Sequence, residues 1–440
     1  MTALTLLLAD GVGAQVAGPR SAEGALVLSP AQRAEVVQAV KEAYAKSYVF
    51  PDKVPAILAR LEKAERSGRY AGASPNELAD LISNDLRAAS KDGHAYLQFD
   101  PQRYAAATAG NRATPAVPDM SGFEAAAARR GHHGLAELRI LPGNVRYLKI
   151  TEFRWVPDES GQAYDDAMRF LRGGDAAIID LRDNGGGASE AVQYLVSHFL
   201  KPGMLEITFL QAGREPVQTR VLDNLPAGRM LGKPLYVLVD QGTASAAESF
   251  AYDVQQFKLG TLIGTRTAGA ANNNDFVPIA PGFMLSVSTG RPVHPVSRTN
   301  WEGSGVQPDV VTPSARALDQ AEALALRTLA AGAATPELKT DYAWALPEAE
   351  ARLHPVAVSS ALMQTAPGAY GNYIVARDKD GLTIARPGHP RWPAPRRLMA
   401  LNAGGLFAVD GVDVLRIGFK PDAIDLWWKD EPNPRTLKRD

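Results

Sequence analysis

Two segments of this chain share a pattern that leaves few folds open. AAIIDLR (Ala176–Arg182) and PLYVLVD (Pro234–Asp240) are short apolar-rich runs. Each is followed by a cluster of small residues and then by apolar residues at helical spacing. Runs of this length read as buried strands, and the periodic stretches after them, SEAVQYLVSHFL and AAESFAYDVQQF, read as helices. Upstream, AELRI-LPGN-VRYLKI has the form of a hairpin and GQAYDDAMRFLRGG that of a helix. Strand–turn–helix units repeated across residues 135–332 place this part of the chain in the α/β class, with a layered core.

The flanks read differently. Residues 29–103 carry helix-start signals: Ser29-Pro30 with Gln32, the run PDKVPAILARLEKAERSG, and Ser74-Pro75 with Glu77. Gly93 ends the last of these helices, and HAYLQF then alternates like a strand. Residues 104–134, rich in Ala, Gly and Pro, read as a linker. From 336 to 440, short strands separated by Asp-Gly or Gly-Gly turns predict a small all-β domain. Residues 1–28 read as a signal peptide or a disordered tail. ALTLLLA is a short apolar region and VGA before Gln15 a small-residue cleavage site, which points to a periplasmic or secreted protein. No run is long enough to span a membrane.

The chain contains no cysteine, which excludes disulfides, thiolate catalysis and cysteine-ligated metal. With 47 Lys plus Arg against 48 Asp plus Glu, and no basic cluster, nucleic acid is not an expected partner.

The small-residue turn after the second strand holds Ser245. Ser245 and Glu248 form S-x-x-E, a capping box, and most such matches serve only to cap a helix. The same position is also suited to chemistry. A serine at a helix start lies beside free N–H groups and the positive end of the helix dipole, where a developing oxyanion can rest. The turn after the first strand is Asn184-Gly185-Gly186-Gly187. It is either a tight turn or a loop whose N–H groups approach a ligand unobstructed, and composition leaves the two open. His94 lies just beyond a helix end, where a lone histidine is more often structural or solvated than a base. Glu302 lies in the Gly-rich loop NWEGSGVQPDV, an ordinary place for a solvated carboxylate. Of the other histidines, His132 and His133 read as solvated, and no metal-ligand spacing is present.

Taken together, DGHAYLQF, IIDLRDNGGG, GTASAAESFA, LIGTRTAGA and WEGSGVQPDV, in this order over roughly residues 30–330, give the chain a resemblance. It resembles the serine peptidases related to tail-specific (C-terminal processing) protease, tricorn protease and interphotoreceptor retinoid-binding protein. The resemblance implies a crotonase/ClpP-like α/β core with an N-terminal helical domain and a C-terminal all-β domain. It implies Ser245 as nucleophile, His94 as base, and an oxyanion hole made by the N–H of Ala246 with that of Gly186 or Gly187. Glu302 would be the acid that completes the network. Where the processing branch carries a lysine this chain has Ala270, which speaks against a Ser–Lys pair. Where the tricorn branch has a serine before the base, this chain has Gly93, so a link from Glu302 to His94 is expected to run through water. The layout lacks room for a PDZ module and is similar to the retinoid-binding-protein branch.

The expected activity is cofactor-free hydrolysis of a peptide or protein substrate through an acyl-enzyme. Two alternatives stand beside it: a non-catalytic protein that binds an apolar ligand or peptide on the same scaffold, and an acyl-CoA enzyme of the crotonase type, for which no basic phosphate site is evident. Fold alone does not choose among them.

Overall fold

The computed structural model describes residues 27–109, 121–390 and 392–440, so almost all of the suggested signal peptide or tail lies outside the described residues. The N-terminal region is helical, as the cap signals predict. Helices α1 (Pro30–Ser47), α2 (Val54–Arg66) and α3 (Pro75–Ser90) are followed by the short strand β1 (Tyr96–Phe99). Both capping boxes form at α1 and α3. Ser29 Oγ accepts from Gln32 N–H at 3.2 Å while Gln32 Oε1 accepts from Ser29 N–H at 2.9 Å, and Ser74 pairs with Glu77 in the same way. The expected linker holds structure at both ends: α4 (Pro101–Ala109) runs into it and α5 (Ser121–Arg130) fills its second half. His133, read as solvated, is buried instead, with Nδ1 2.8 Å from Ser160 Oγ.

The core follows. It comprises β2 (Leu135–Leu141), β3 (Val145–Ile150), α6 (Ser160–Arg172), β4 (Ala176–Asp180), α7 (Ser189–Ser197), β5 (Leu205–Gln211), β6 (Val217–Arg220), β7 (Leu235–Val239), α8 (Ala246–Gln256), β8 (Thr261–Gly264), β9 (Asn273–Ile279), β10 (Phe283–Val293), β11 (Val310–Val311), α9 (Ala317–Ala331) and α10 (Pro336–Leu353). The main sheet has the order β11-β8-β7-β4-β3-β2, parallel except for the β2–β3 hairpin. Helices α6, α7 and α8 pack on one face, against Leu148, Ile150, Ile179, Val237, Val239 and Leu262. Helices α9 and α10 cover the other, against Val145, Tyr147, Ile178, Tyr236, Leu238 and Ile263. A parallel sheet covered on both faces is apolar along every strand, which is why β4 and β7 are legible as unbroken runs.

A second sheet joins the N-terminal region to the core. Its order is β1-β10-β5-β6, with β9 also paired to β10. Tyr96–Phe99 align antiparallel to Phe283–Ser286. Ile279, Phe283, Leu285 and Val287 pack into the same apolar cluster as α1–α3. Beyond the core, the expected strands are present as an eight-stranded antiparallel sheet among the described residues, between Gly368 and Lys438. It begins later than residue 336 because Pro336–Leu353 is α10, which Thr335 caps by accepting from Leu338 N–H at 3.3 Å. Pro347 inside that helix masks its periodicity. No helix among the described residues is long and apolar enough to cross a membrane.

Candidate active site

The loops after β4 and β7 leave the carboxyl ends of adjacent parallel strands, where open α/β sheets place their ligands. They are tied together. Ala244 N–H donates to Asn184 O at 2.9 Å, Thr243 Oγ1 to Leu181 O at 2.8 Å, and Asp183 N–H to Asp240 Oδ1 at 3.0 Å. Asn184 is fully buried, and its Nδ2 anchors the Gly loop to Ile150 O at 2.9 Å.

Ser245 stands at the N-terminus of α8 with φ 53° and ψ −118°. That combination lies outside the regions open to an L residue and costs on the order of 1–3 kcal/mol. The Ser245 side chain faces the Glu248 N–H in capping-box fashion, without the geometry of a hydrogen bond. The other half of the box is firm. Ser245 N–H donates to Glu248 Oε2 at 3.0 Å. Fully buried Glu248 also accepts from Thr267 Oγ1 (2.5 Å), Gly269 N–H (2.6 Å) and Ala270 N–H (2.8 Å). It thus clamps the 267–270 loop to the serine turn. Burial pushes its carboxyl above the usual range, against the pull of these donors.

Next to the serine, Gly186 allows a contact that no side chain would. A Cβ there would lie 2.8 Å from Ser245 Cβ and 2.9 Å from Ala246 N. Its N–H is already spent, donating to Asn184 Oδ1 at 2.9 Å. Of the two glycines weighed as oxyanion donors, Gly186 is therefore the wrong one: it is a packing residue. Gly187 N–H and Ala246 N–H donate to no acceptor among the described residues. Gly187 holds φ 137°, and a Cβ there would meet Phe153 O at 2.0 Å.

His94 reaches the site from the other sheet. Its carbonyl accepts from Ser286 Oγ at 2.5 Å, which fixes it at the start of β1. Its Nδ1 is buried, has no hydrogen-bond partner, and lies 3.8 Å from Glu302 Oε2 and 3.9 Å from Asp92 Oδ1. These are ion-pair rather than hydrogen-bond distances. Burial works to lower the His94 pKa, but Glu302, Asp92 and Glu248 outweigh it, and the net shift is upward from 6.5. Glu302 is held by three backbone donors: Gly93 N–H to Oε1 at 3.1 Å, and Ala271 N–H and Asn272 N–H to Oε2 at 2.7 and 2.8 Å. Burial raises its pKa, while His94 and these donors lower it further, for a net shift downward.

The link expected through water is thus a direct electrostatic contact, helped by the backbone of the residue standing in the serine's place. Asp92 was missed. It is buried, accepts from His94 N–H at 2.9 Å and from Tyr48 O–H at 3.1 Å, and presses a second carboxylate on the imidazole. Its signal was the D-x-H spacing. Asp92, His94 and Glu302 offer three ligand atoms within 4.8 Å of one another, but the Glu302 oxygens are already engaged by backbone donors, a poor fit to a metal. Ser245 Oγ and His94 are not hydrogen bonded among the described residues. Glu302 grips Ala271, which lines the same cleft as Ser245, so one loop connects the acid to the serine.

A hydroxyl on a strained helix-start turn, paired free N–H groups and an imidazole backed by carboxylates are the parts acyl transfer uses. Residues 144–312 match the model of peptidase family S41, and residues 22–128 match that of the N-terminal domain of Peptidase_S41 in eukaryotic IRBP. The chain carries a peptidase family S41 domain preceded by an IRBP-type N-terminal domain. It is 28% identical over 188 residues to carboxyl-terminal-processing peptidase 2, chloroplastic, of Arabidopsis thaliana, covering 41% of this chain and 35% of that protein. It is 30% identical over 134 residues to the carboxy-terminal-processing protease of Bartonella bacilliformis, covering 30% of each. The chain thus spans only about a third of the length of these relatives. Among solved structures, it aligns to the photosystem II D1 C-terminal processing protease with TM-score 0.42 and 18% identity, over 65% of this chain and 94% of that one.

Proposed function

We propose that this chain is a serine peptidase working through an acyl-enzyme. Ser245 Oγ attacks the carbonyl of a peptide bond and His94 takes its proton. The tetrahedral oxyanion is received by the N–H groups of Ala246 and Gly187. Glu302, with Asp92, stabilises the imidazolium until it gives the proton to the leaving amine, after which water, activated by the same imidazole, releases the acyl group. The observation that carries this reading is the serine turn itself: a strained Ser245 flanked by two N–H groups that donate to no acceptor among the described residues. The similarity to carboxyl-terminal-processing peptidases supports peptide or protein as the substrate. The apolar run near the N-terminus supports a periplasmic or secreted location.

The test is covalent labelling with a fluorophosphonate probe, in parallel with hydrolysis of an unfolded protein. Wild type is expected to label and to cleave. Folded Ser245→Ala is expected to do neither, with activity down by several orders of magnitude. Equal labelling and cleavage by Ser245→Ala, or neither by wild type, would defeat the proposal.

A further inference from the structure

A cleft of about 100 Å³ opens beside Ser245 and Ala246, with walls that include Val192, Phe209 and Trp301. One lining residue is out of character. Glu206, on β5, is only 2% exposed, and its Oε2 has no hydrogen-bond partner. Asp253 on α8, fully buried, bears electrostatically on it and has neither oxygen hydrogen bonded. Among the described residues, the cation candidate in contact with this pair is His294, with Nε2 3.4 Å from Asp253 Oδ1. Its Nδ1 accepts from Val296 N–H at 3.2 Å, and burial lowers its pKa to about 4, so the ring is neutral. No Lys or Arg pairs with either acid among the described residues. Thr219 is a hydrogen-bond partner of Glu206, but neither acid has a cation to balance it among the described residues, and such buried carboxyls are costly and need a reason to persist.

We propose that Glu206 sets the specificity of this cleft by receiving the ammonium group of a lysine side chain, on the substrate residue whose carbonyl Ser245 attacks. The inference rests on the peptidase reading and adds a substrate class to it. The apolar walls suit a methylene stem that carries its charge at the tip. A single carboxyl oxygen without a hydrogen-bond partner suits a compact ammonium better than the two-pronged fork of arginine. The volume agrees: a cavity of about 150 Å³ takes benzene, so this one admits a slim chain and not an indole. Without a cation beside it, burial and then Asp253 hold the Glu206 carboxyl well above its usual range, against the pull of Thr219. An arriving ammonium favours the ionised form, and the displaced proton leaves to water.

The experiment compares tripeptide coumarylamides ending in lysine and in norleucine, which keeps the stem and lacks the charge. On wild type, kcat/KM for lysine is expected to exceed that for norleucine on the order of 100-fold, since a buried polar site rejects an analogue that leaves it unpaired. Glu206→Gln should bring the ratio toward one. A wild-type ratio at or below one overturns the inference while leaving the peptidase reading intact, and it needs no variant to fold. If neither compound is hydrolysed, the peptidase reading fails for these substrates, and calorimetric binding of the same pair decides the rest. Tighter binding of the lysine compound that Glu206→Gln erases supports the assignment of Glu206. Equal binding, or none, overturns it.

Discussion

Glu302→Gln isolates what the acid does for the base. Glu302 Oε2 lies 3.8 Å from His94 Nδ1. Unit charges at that separation attract by about 4 kcal/mol at an effective dielectric of roughly 20, and by about 1 kcal/mol in water. Asp92 Oδ1, at 3.9 Å from the same nitrogen, supplies a matching share. Loss of the Glu302 charge therefore removes about 1–4 kcal/mol of imidazolium stabilisation, or about 10- to 1,000-fold in kcat. Asp92 keeps the loss below that of His94→Ala. The Michaelis constant should hardly move, because the charge matters when the imidazolium forms. The glutamine oxygen can keep Ala271 and Asn272 N–H, but its amide then faces Gly93 N–H, for a stability loss of about 1–3 kcal/mol. The pH profile has a definite sign. His94 acts as a neutral base with a raised pKa, so wild-type kcat/KM should rise with pH through a midpoint above 6.5. In Glu302→Gln that midpoint should fall. Steady-state kinetics from pH 5 to 9 on Glu302→Gln, Asp92→Asn, their double variant and His94→Ala measure all of this. An unchanged midpoint with unchanged kcat refutes the electrostatic argument. So does a Glu302→Gln/His94→Ala double variant worse than His94→Ala by the full single-variant factor.

Gly187→Ala should be severe, because its Cβ would sit 2.0 Å from Phe153 O. Displacement of that N–H should slow probe labelling of Ser245 on the order of 100- to 1,000-fold, the usual effect of losing one oxyanion donor. Glu248→Gln should cost about 3 kcal/mol in denaturant unfolding, since each carboxylate oxygen accepts two hydrogen bonds and an amide nitrogen in either place meets donors. Labelling should slow as the serine turn loosens. Gly93→Ser should be tolerated: the added Cβ meets only Glu302 Oε1, at 3.9 Å, and Gly93 does not occupy the positive-φ region. Its hydroxyl can bridge Glu302 and His94, so turnover should hold or rise, and a large fall in both turnover and melting temperature would count against the described geometry.

What was legible in the sequence follows from physics local to each segment. β4 and β7 were readable because both faces of their sheet are covered, and the helices α1 and α3 because their serine caps and following prolines fix the start. Helix α10 was hidden by Pro347. The 104–134 stretch read as linker because alanine-rich helices broken by Gly and Pro carry no apolar stripe. Three consecutive glycines do not say which N–H is left open, because that depends on Asn184 Oδ1 occupying Gly186 N–H. Glu206 is hidden for the same reason, and Asp92 leaves only the faint D-x-H spacing. A carboxylate is polar wherever it stands in a sequence, and only the fold tells that one faces an imidazole and the other an apolar cleft with no counter-ion.

The same fold carries the alternative of a non-catalytic binding protein, and the energetics of the serine turn weigh against it. A site that only held an apolar ligand would gain stability by relaxing Ser245 from φ 53° and ψ −118°, a strain on the order of 1–3 kcal/mol. It would have no use for Ala246 and Gly187 N–H groups that donate to no acceptor among the described residues, nor for a buried His94 Nδ1 between two carboxylates. The backbone strain is a cost to the resting protein, and the two carboxylates hold the imidazole ready to take a proton. All three are put to use when negative charge develops beside the helix start while positive charge develops on the imidazole. Both happen together in the tetrahedral stage of acyl transfer, and neither happens when an apolar ligand binds.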